Sequence, residues 1–332
     1  MRAPIRSLLA AAGLAAFGVS SVASADNYSL ISAPFGSGSY VLGGALEEIV
    51  RDNHPSIRVS HSESPGFAFN LNQLDRDPPL RKTMMVGTGR GVVDAAVRGQ
   101  PPFEKELPPV KAIANYNLVG AWMVTFDDDI KTVADLRGRT VALGRKPQIN
   151  WTIQPELLMR VGWELGDSVN IEYMGLTDAT QALLDGRVDA AVIGGYFPLI
   201  NNEMTMSPHT VEFMSANRDG MRHLPWGEEA VKRVVEETGM PLAPDTVPDD
   251  HVQQQDGPLE IYADTVSWAV HADFPEQAAY EITKLIIDNV EKFAEFHALG
   301  KLMTPEALAY GWEPDEFHPG ALRAYQEAGI LD

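Results

Sequence analysis

Short apolar segments rich in β-branched residues alternate with amphipathic helical segments along most of the 332-residue chain. This alternation predicts mainly parallel sheets covered by helices, and therefore the α/β fold class. Toward the C-terminus, apolar residues between Pro275 and Phe296 recur on one face at helical spacing, which predicts a single core-packing helix. The predicted strands are residues 28–33, 57–62, 83–86, 110–114, 120–126, 140–143, 169–173, 190–193, 211–214 and 265–271.

The first 25 residues have the three parts of a secretory signal peptide. Arg2 and Arg6 precede an apolar stretch over residues 8–19, and Ala23-Ser24-Ala25 supplies the small residues of a cleavage site. The apolar stretch is shorter than the roughly 20 residues that a membrane span needs. We therefore expect cleavage near Ala25, export to the periplasm and no stable membrane insertion of the mature protein.

Composition excludes several classes of function. The chain has no cysteine, which excludes disulfides, thiol catalysis and cysteine metal sites. Its formal charge is −20, and removal of two arginines with the signal peptide gives −20 − 2 = −22. Such a charge repels nucleic acid and anionic lipid. Histidines lack metal-ligand spacing and no motif positions a nucleophile, so we expect no metal, no cofactor and no catalytic residue.

A glycine-rich loop follows the first predicted strand and leads into a helix, in the sequence GSGSYVLGGALEEI from Gly36 to Ile49. Glycine lets a backbone approach a ligand, and the first turn of a helix presents unpaired N–H groups that attract an anion. We predict ligand contacts at Ser37, Gly38, Ser39 and Tyr40. A purely structural turn is the alternative. A dinucleotide fingerprint fails because Val41 occupies the position of its third glycine.

Basic residues follow two other predicted strands. Thr88 and Arg90 come after one strand, and Arg145 with Lys146 comes after another. Ligands in open α/β sheets lie beyond the carboxyl ends of strands, so Thr88, Arg90 and Arg145 are candidate ligand contacts. A guanidinium can hold a carboxylate or sulfonate through two hydrogen bonds. The alternatives are an exposed helix start for Arg90 and a surface ion pair for Arg145.

Four aromatic residues lie near predicted strand ends, namely Phe67, Phe69, Trp151 and Tyr196. They could form an apolar wall in a ligand site, although aromatic residues at such positions more often belong to the core. If several of them converge, a cage for a quaternary ammonium group becomes a credible alternative.

Two landmarks suggest a second domain inserted in the first. An acidic cluster over residues 127–129 follows one strand, and a segment rich in Asn, Met and Pro occupies residues 196–208. We predict a first domain of residues 26–118 and 207–332 and a second domain of residues 119–206. Two crossings between domains would form a hinge and a cleft.

Several segments resemble one family, and they occur in its order from Gly36 to Leu331. The loop GSGSYVLGGALEEI and the ending FHPGALRAYQEAGIL are similar to those of the TAXI family (TRAP-associated extracytoplasmic immunogenic), the solute receptors of tripartite ATP-independent periplasmic (TRAP) transporters. TVADLRGRTVALG and LLDGRVDAAVIGG resemble its second-domain segments. The segment SPGFAFNL, residues 64–71, falls at a family ligand segment, which adds Gly66, Phe67 and Asn70 to the candidate contacts.

This resemblance implies a type II periplasmic binding protein fold, with two α/β domains, a ligand cleft and two hinge crossings. It further implies a receptor that closes around a small organic acid or amino acid and delivers it to the large and small membrane subunits. The chain departs from the family at Phe67, which replaces a serine, and at residues 145–152, which replace a P-G-S-G-T loop. Both segments would line the cleft, so the family's ligands cannot be transferred to this chain.

Two rival functions stay open at this stage. The same binding fold could serve a sensor kinase or an ABC permease, and an exported enzyme could be built on the same cleft. The sequence favours a receptor that makes and breaks no bond, because it has no catalytic motif.

Overall fold

The computed structural model describes residues 26–35, 37–146, 148–197, 203–216 and 218–332. The predicted signal peptide and Gly36, the first residue of the glycine-rich loop, lie outside these ranges. No helix in the described ranges is long and apolar enough to cross a membrane.

The chain begins with a β-α-β-α-β unit in which all three strands are parallel. Its central strand packs against both neighbours, in the order β2-β1-β3, and the two helices cover the faces. The strands are apolar along their inner positions, as in parallel sheets that are buried on both faces. The elements are β1 (Asp26–Ile31), α1 (Gly38–Asn53), β2 (Ile57–Ser62), α2 (Phe67–Arg76) and β3 (Met84–Thr88).

A second unit of the same kind follows a short helix and a long strand. Its three strands are again parallel, in the order β7-β5-β6. A continuous helical segment from Ile149 to Gly162, which includes two π-helical turns, lies between β5 and β6 in the chain. The elements are α3 (Arg90–Val97), β4 (Val110–Thr125), β5 (Thr140–Leu143), α4 (Gln154–Leu157), β6 (Asn170–Tyr173), α5 (Leu176–Leu184) and β7 (Ala190–Phe197).

The remainder of the chain adds short strands at the edges, a second long strand and a C-terminal group of helices. The elements are β8 (Thr205–Met206), α6 (Pro208–Ser215), β9 (Arg222–Leu224), α7 (Glu228–Thr238), β10 (Ala243–Val247), β11 (Leu259–His271), α8 (Glu276–Asp288), α9 (Phe293–Phe296), α10 (Pro305–Leu308) and α11 (Pro319–Glu327).

The two long strands, β4 and β11, join the two parallel units. They pair antiparallel with each other, and the strand order of the sheet is β2-β1-β3-β11-β4-β7-β5-β6. The buried apolar side chains form two clusters, one around β1, β3 and the C-terminal helices and one around β5 and β7. Both long strands contribute side chains to both clusters, so the chain passes from one core to the other within these strands.

Packing of residues 207–263 differs from the predicted domain division. This segment contributes Phe213, Trp226 and Tyr262 to the second core, although the sequence-based division assigned it to the first domain. Trp226 is fully buried and its indole N–H donates to the Ala121 carbonyl at 2.6 Å. The second passage between cores therefore lies in β11 and not near residue 207. The strand is uninterrupted at this passage, which the sequence marks by no more than the polar pair Asp264-Thr265.

Two other local predictions differ from the structure. The strand predicted at residues 211–214 is wrong, because these residues belong to α6, which begins at Pro208. The single helix predicted from Pro275 to Phe296 is wrong in extent, because α8 ends at Asp288. His318 of the HPGA ending caps α11, since its Nδ1 accepts from the Gly320 N–H at 3.3 Å.

Candidate functional site

A cavity of about 380 Å³ lies beyond the carboxyl ends of parallel strands from both units. Its lining combines residues that follow strands of both parallel units with Val119 of β4 and Val266 of β11, the strands that join the units. This is the position at which open α/β sheets bind ligands. The lining residues are Ala33, Pro34, Ser37, Ser39, Pro65, Gly66, Phe67, Ala68, Phe69, Val92, Val119, Arg145, Gln148, Ile149, Asn150, Trp151, Tyr196 and Val266.

The beginning of α1 forms one side of the cavity. Ser37 is the N-cap, and its hydroxyl accepts from the Tyr40 N–H at 3.2 Å. The Val41 N–H donates to the Ser37 carbonyl at 3.1 Å. The earlier N–H groups of a first turn have no partner within the helix, so this end of α1 carries positive partial charge toward an anion. Ser37 and Ser39 both line the cavity, as the loop pattern predicts.

The opposite side comes from the segment after β5. Arg145 lines the cavity and is exposed, and its guanidinium makes no hydrogen bond or ion pair with any described residue. Its backbone is fixed, because the Arg145 N–H donates to the Gln148 side chain at 3.1 Å and its carbonyl accepts from the Thr152 hydroxyl at 2.9 Å. The loop is thus held by its own hydrogen bonds while the charged end stays available.

The four aromatic residues singled out in the sequence all line this cavity. The Trp151 ring packs edge-on against the His209 ring, with centroids 4.9 Å apart. Burial lowers the pKa of His209 to about 4, so this ring is neutral at physiological pH. Burial also raises the pKa of Tyr196 to about 12 and keeps its hydroxyl protonated. We call Phe67, Phe69, Trp151 and Tyr196 the aromatic wall.

A buried polar network lies behind the cavity at the passage between the cores. The Asp264 carboxylate on β11 accepts from Asn150 Nδ2 at 3.0 Å, from Gln154 Nε2 at 2.7 Å and from the Gly91 N–H at 3.1 Å. Asn150 lines the cavity, and the Tyr262 hydroxyl donates to its carbonyl. Burial raises the pKa of Asp264 to about 6, although these donors lower it. The network connects the first unit, the long strand and the second unit.

Two residues of the predicted loop lie beside the cavity and do not line it. Gly38 borders a second cavity of about 490 Å³, which lies on the other side of Tyr196. The Tyr40 ring packs against His61 at 4.8 Å and Phe35 at 5.1 Å between centroids. In both cases the helical turn directs the residue away from its neighbours Ser37 and Ser39.

Asn70 and Thr88 are also placed outside the lining. Asn70 is fully buried, and its Nδ2 donates to the Ser32 carbonyl at 2.7 Å and to the Gly87 carbonyl at 2.8 Å. It therefore joins the ends of β1 and β3. Thr88 is fully buried at the end of β3. The positions of Gly66 and Phe67, by contrast, are in the lining.

Arg90 contacts the C-terminal segment of the chain. Its guanidinium donates to the Gly311 carbonyl and forms an ion pair with Glu316 at 3.2 Å, and it does not line the cavity. The structure therefore gives Arg90 a structural partner in place of the predicted ligand. Its position after a glycine-rich strand end suggested a ligand contact. Position alone does not show where a long side chain points, and here it points to the C-terminal segment.

Replacement of Arg90 by alanine is expected to separate stability from binding. Loss of a partly exposed ion pair and one carbonyl hydrogen bond should lower the free energy of unfolding by about 1–2 kcal/mol. Ligand affinity should stay within about twofold, because the cavity is unchanged. Denaturant titration and calorimetric titration measure the two quantities. A large loss of affinity with unchanged stability would restore Arg90 to the site.

Several lining residues were not singled out in the sequence. Val119 and Val266 lie in long apolar strands, where a cavity position has the same composition as a core position. Gln148 and Asn150 belong to the segment that replaces the family loop, and that replacement was the available signal. Among the described residues, no group of three or more His, Asp or Glu side chains could hold a metal ion.

Comparison with known proteins assigns the chain to a family. A family model described as the NMT1-like family matches residues 30–329. The chain belongs to the NMT1-like family. Its type II-like fold of two α/β units is shared with solved structures that align with it at TM-scores of 0.50 and 0.51.

Three solved structures illustrate the similarity of this NMT1-like protein. Rpa4515 from R. palustris, determined with adipate, is 13% identical, with 92% of this chain and 93% of that chain covered and a TM-score of 0.51. XAC2383 from Xanthomonas citri, bound to ATP, is 12% identical, with 92% and 97% covered and a TM-score of 0.50. A TctC solute-binding protein from Polaromonas is 16% identical, with 92% and 96% covered and a TM-score of 0.47.

Proposed function

We propose that this protein is an extracytoplasmic solute receptor, which captures a small organic solute in the cavity and presents it to membrane subunits. One observation carries the proposal. One cavity is lined by residues that follow strands of both parallel units, with Ser37 and Phe67 on one side and Arg145 and Trp151 on the other. A ligand that contacts both sides is an additional connection between them, so it favours the closed arrangement.

The mechanism that we propose is hinge closure in the two long strands. The two core clusters are the two bodies that move, and β4 and β11 absorb the change because, among the strands in the described ranges, these two pass between the parallel units. Only a ligand with higher affinity for the closed state can shift this equilibrium. The closed receptor is then the form that the membrane subunits recognise.

A thermal-shift screen of residues 26–332 tests ligand binding. A ligand at 100 times its dissociation constant should stabilise the folded protein by about 2.7 kcal/mol, which raises the melting temperature by several degrees. The screen includes carboxylates, sulfonates, amino acids, betaines and sugars. Recovery of the hit unchanged after long incubation would support a receptor, whereas turnover of the hit would support an exported enzyme.

We further propose that the membrane partners are the large and small subunits of a TRAP transporter. The opening loop and the HPGA ending, which are similar to those of the TAXI family, support this finer assignment. Transport is then expected in vesicles that hold both subunits, with the receptor outside and an ion gradient as the energy source. Uptake that requires ATP hydrolysis would contradict the TRAP partnership and favour an ABC permease, with the binding function intact.

A further inference from the structure

The charges in the cavity lining are unequal. Arg145 is the single charged side chain among the described lining residues, and no carboxylate is present there. Asp178, whose carboxylate lies near Gly175 as does the Arg145 guanidinium, is outside the lining and forms no ion pair with Arg145. The start of α1, on the other side, adds further positive partial charge. The cavity therefore attracts an anion.

An ammonium group has no comparable partner. A bound amino acid needs acceptors for its ammonium, and a carboxylate is the strongest of these. The Asp264 carboxylate behind the lining is already occupied by Asn150 and Gln154. An ammonium in this cavity would lie close to the Arg145 guanidinium, and like charges at such distances are unfavourable in a partly desolvated site.

The rest of the lining is apolar. The aromatic wall and neighbouring residues such as Ala68 and Val119 surround most of the space, while Ser37, Ser39, Gln148 and Asn150 supply the few uncharged polar groups. Converging aromatic rings are also the geometry of a quaternary ammonium cage. Arg145 argues against that use, because a cation would share the cage with a fixed positive charge.

We infer that the ligand is an organic acid with a hydrocarbon body and no amino group, held by its carboxylate or sulfonate at Arg145. The inference rests on the proposed receptor function and names the substrate class of that same cavity. The body of the ligand packs against the aromatic wall. A cavity of about 380 Å³ holds about a dozen non-hydrogen atoms, when each is given the volume of roughly one water molecule.

Matched compounds test each part of this class. 3-Phenylpropanoate has the required size, phenylalanine adds only an ammonium group, and 3-phenylpropanol replaces the carboxylate by an uncharged hydroxyl. Hexanoate and norleucine form an aliphatic pair of the same design. In calorimetric titrations each acid should bind at least about tenfold more tightly than its amino acid and its alcohol.

Two neighbouring arginine and lysine positions provide a matched pair of variants. Arg145→Gln should weaken 3-phenylpropanoate binding by about tenfold or more and leave the weak binding of 3-phenylpropanol within about twofold. Lys146→Gln removes the same charge one residue away, but its ammonium lies over the Tyr173 ring, 4.8 Å from the centroid, and not in the lining. The affinity of the Lys146→Gln variant for 3-phenylpropanoate should be unchanged.

The outcomes separate this inference from the proposed function. Tighter binding of phenylalanine, norleucine, betaines or sugars than of the acids would overturn the ligand class and leave the receptor function standing. Equal losses in Arg145→Gln and Lys146→Gln would overturn the role of Arg145. If no compound in the wider thermal-shift screen binds, the proposed receptor function fails as well.

Discussion

Between about pH 4 and about pH 7.5, the wild-type protein is expected to lose about 2–3 kcal/mol of stability relative to the Asp264→Asn variant. The cause is the buried carboxylate on β11. Burial raises the pKa of Asp264 to about 6 in the folded protein, whereas an aspartate in the unfolded chain has a pKa of about 3.9. Each unit of difference corresponds to about 1.4 kcal/mol.

The sign follows from proton binding. Between the two pKa values the folded state binds more protons than the unfolded state, so the free energy of unfolding falls as pH rises through this range. An asparagine at this position does not titrate, so the free energy of unfolding of the Asp264→Asn variant lacks this dependence on pH. Other titrating groups change both proteins alike and cancel in the difference.

Urea titrations of both proteins at several pH values measure this difference. The wild type should be least stable relative to the variant at neutral pH. A constant difference across the range, or a wild type that gains relative stability as pH rises, would contradict the prediction. In that case the donors from Asn150, Gln154 and Gly91 outweigh burial, and Asp264 is an ordinary ionised carboxylate.

Replacement of Gly194 by alanine is expected to lower the free energy of unfolding by about 3 kcal/mol and to weaken ligand binding. Gly194 lies on β7 directly opposite Ala121 of β4. An added methyl group would overlap the Gly120 carbonyl oxygen, and it would lie 2.8 Å from both the Ala121 Cα and the Trp151 ring. The backbone atoms can move away from the methyl group only if the two strands separate. The Trp151 ring must shift as well, because the methyl group would contact it directly.

Gly44→Ala is the matched control, because it makes the same chemical change inside α1. An added methyl group there meets only His61, at 3.9 Å, and alanine is favoured over glycine in a helix interior by about 0.5–1 kcal/mol. This variant should be as stable as the wild type or slightly more stable. Denaturant titration and calorimetry compare the three proteins. A Gly194→Ala variant with wild-type stability and affinity would show that the position of the Trp151 ring does not depend on its close contact with Gly194.

The fold was predictable from the sequence because its signals are local and repeated. Each parallel strand ends in a glycine or proline segment and each helix carries an apolar face, so alternation alone indicates an α/β protein. The passage between the cores was not predictable in position. In β11 it occurs inside an uninterrupted strand, where Asp264 and Thr265 alone separate Ala263 of one core from Val266 of the other.

The candidate site was predictable where backbone geometry determines direction. Ser37 and Ser39 line the cavity because a helix that starts after a strand presents its first turn to the sheet edge. Arg145 lines the cavity because it follows β5 at the same edge. Arg90 has the same position relative to its strand, but its side chain is directed by Gly311 and Glu316. Contacts over such sequence separation leave no local pattern.

Calorimetric titration of the best organic acid into the wild type and an Ala68→Trp variant shows whether the cavity is the site that captures the solute. Ala68 lines the cavity at a partly exposed position of α2, so a tryptophan there would occupy the ligand volume. Ala328→Trp places the same side chain on the exposed end of α11 as the control. We expect saturable binding to the wild type and to Ala328→Trp, and none to a folded Ala68→Trp. Equal affinity in all three proteins would show that the solute binds elsewhere.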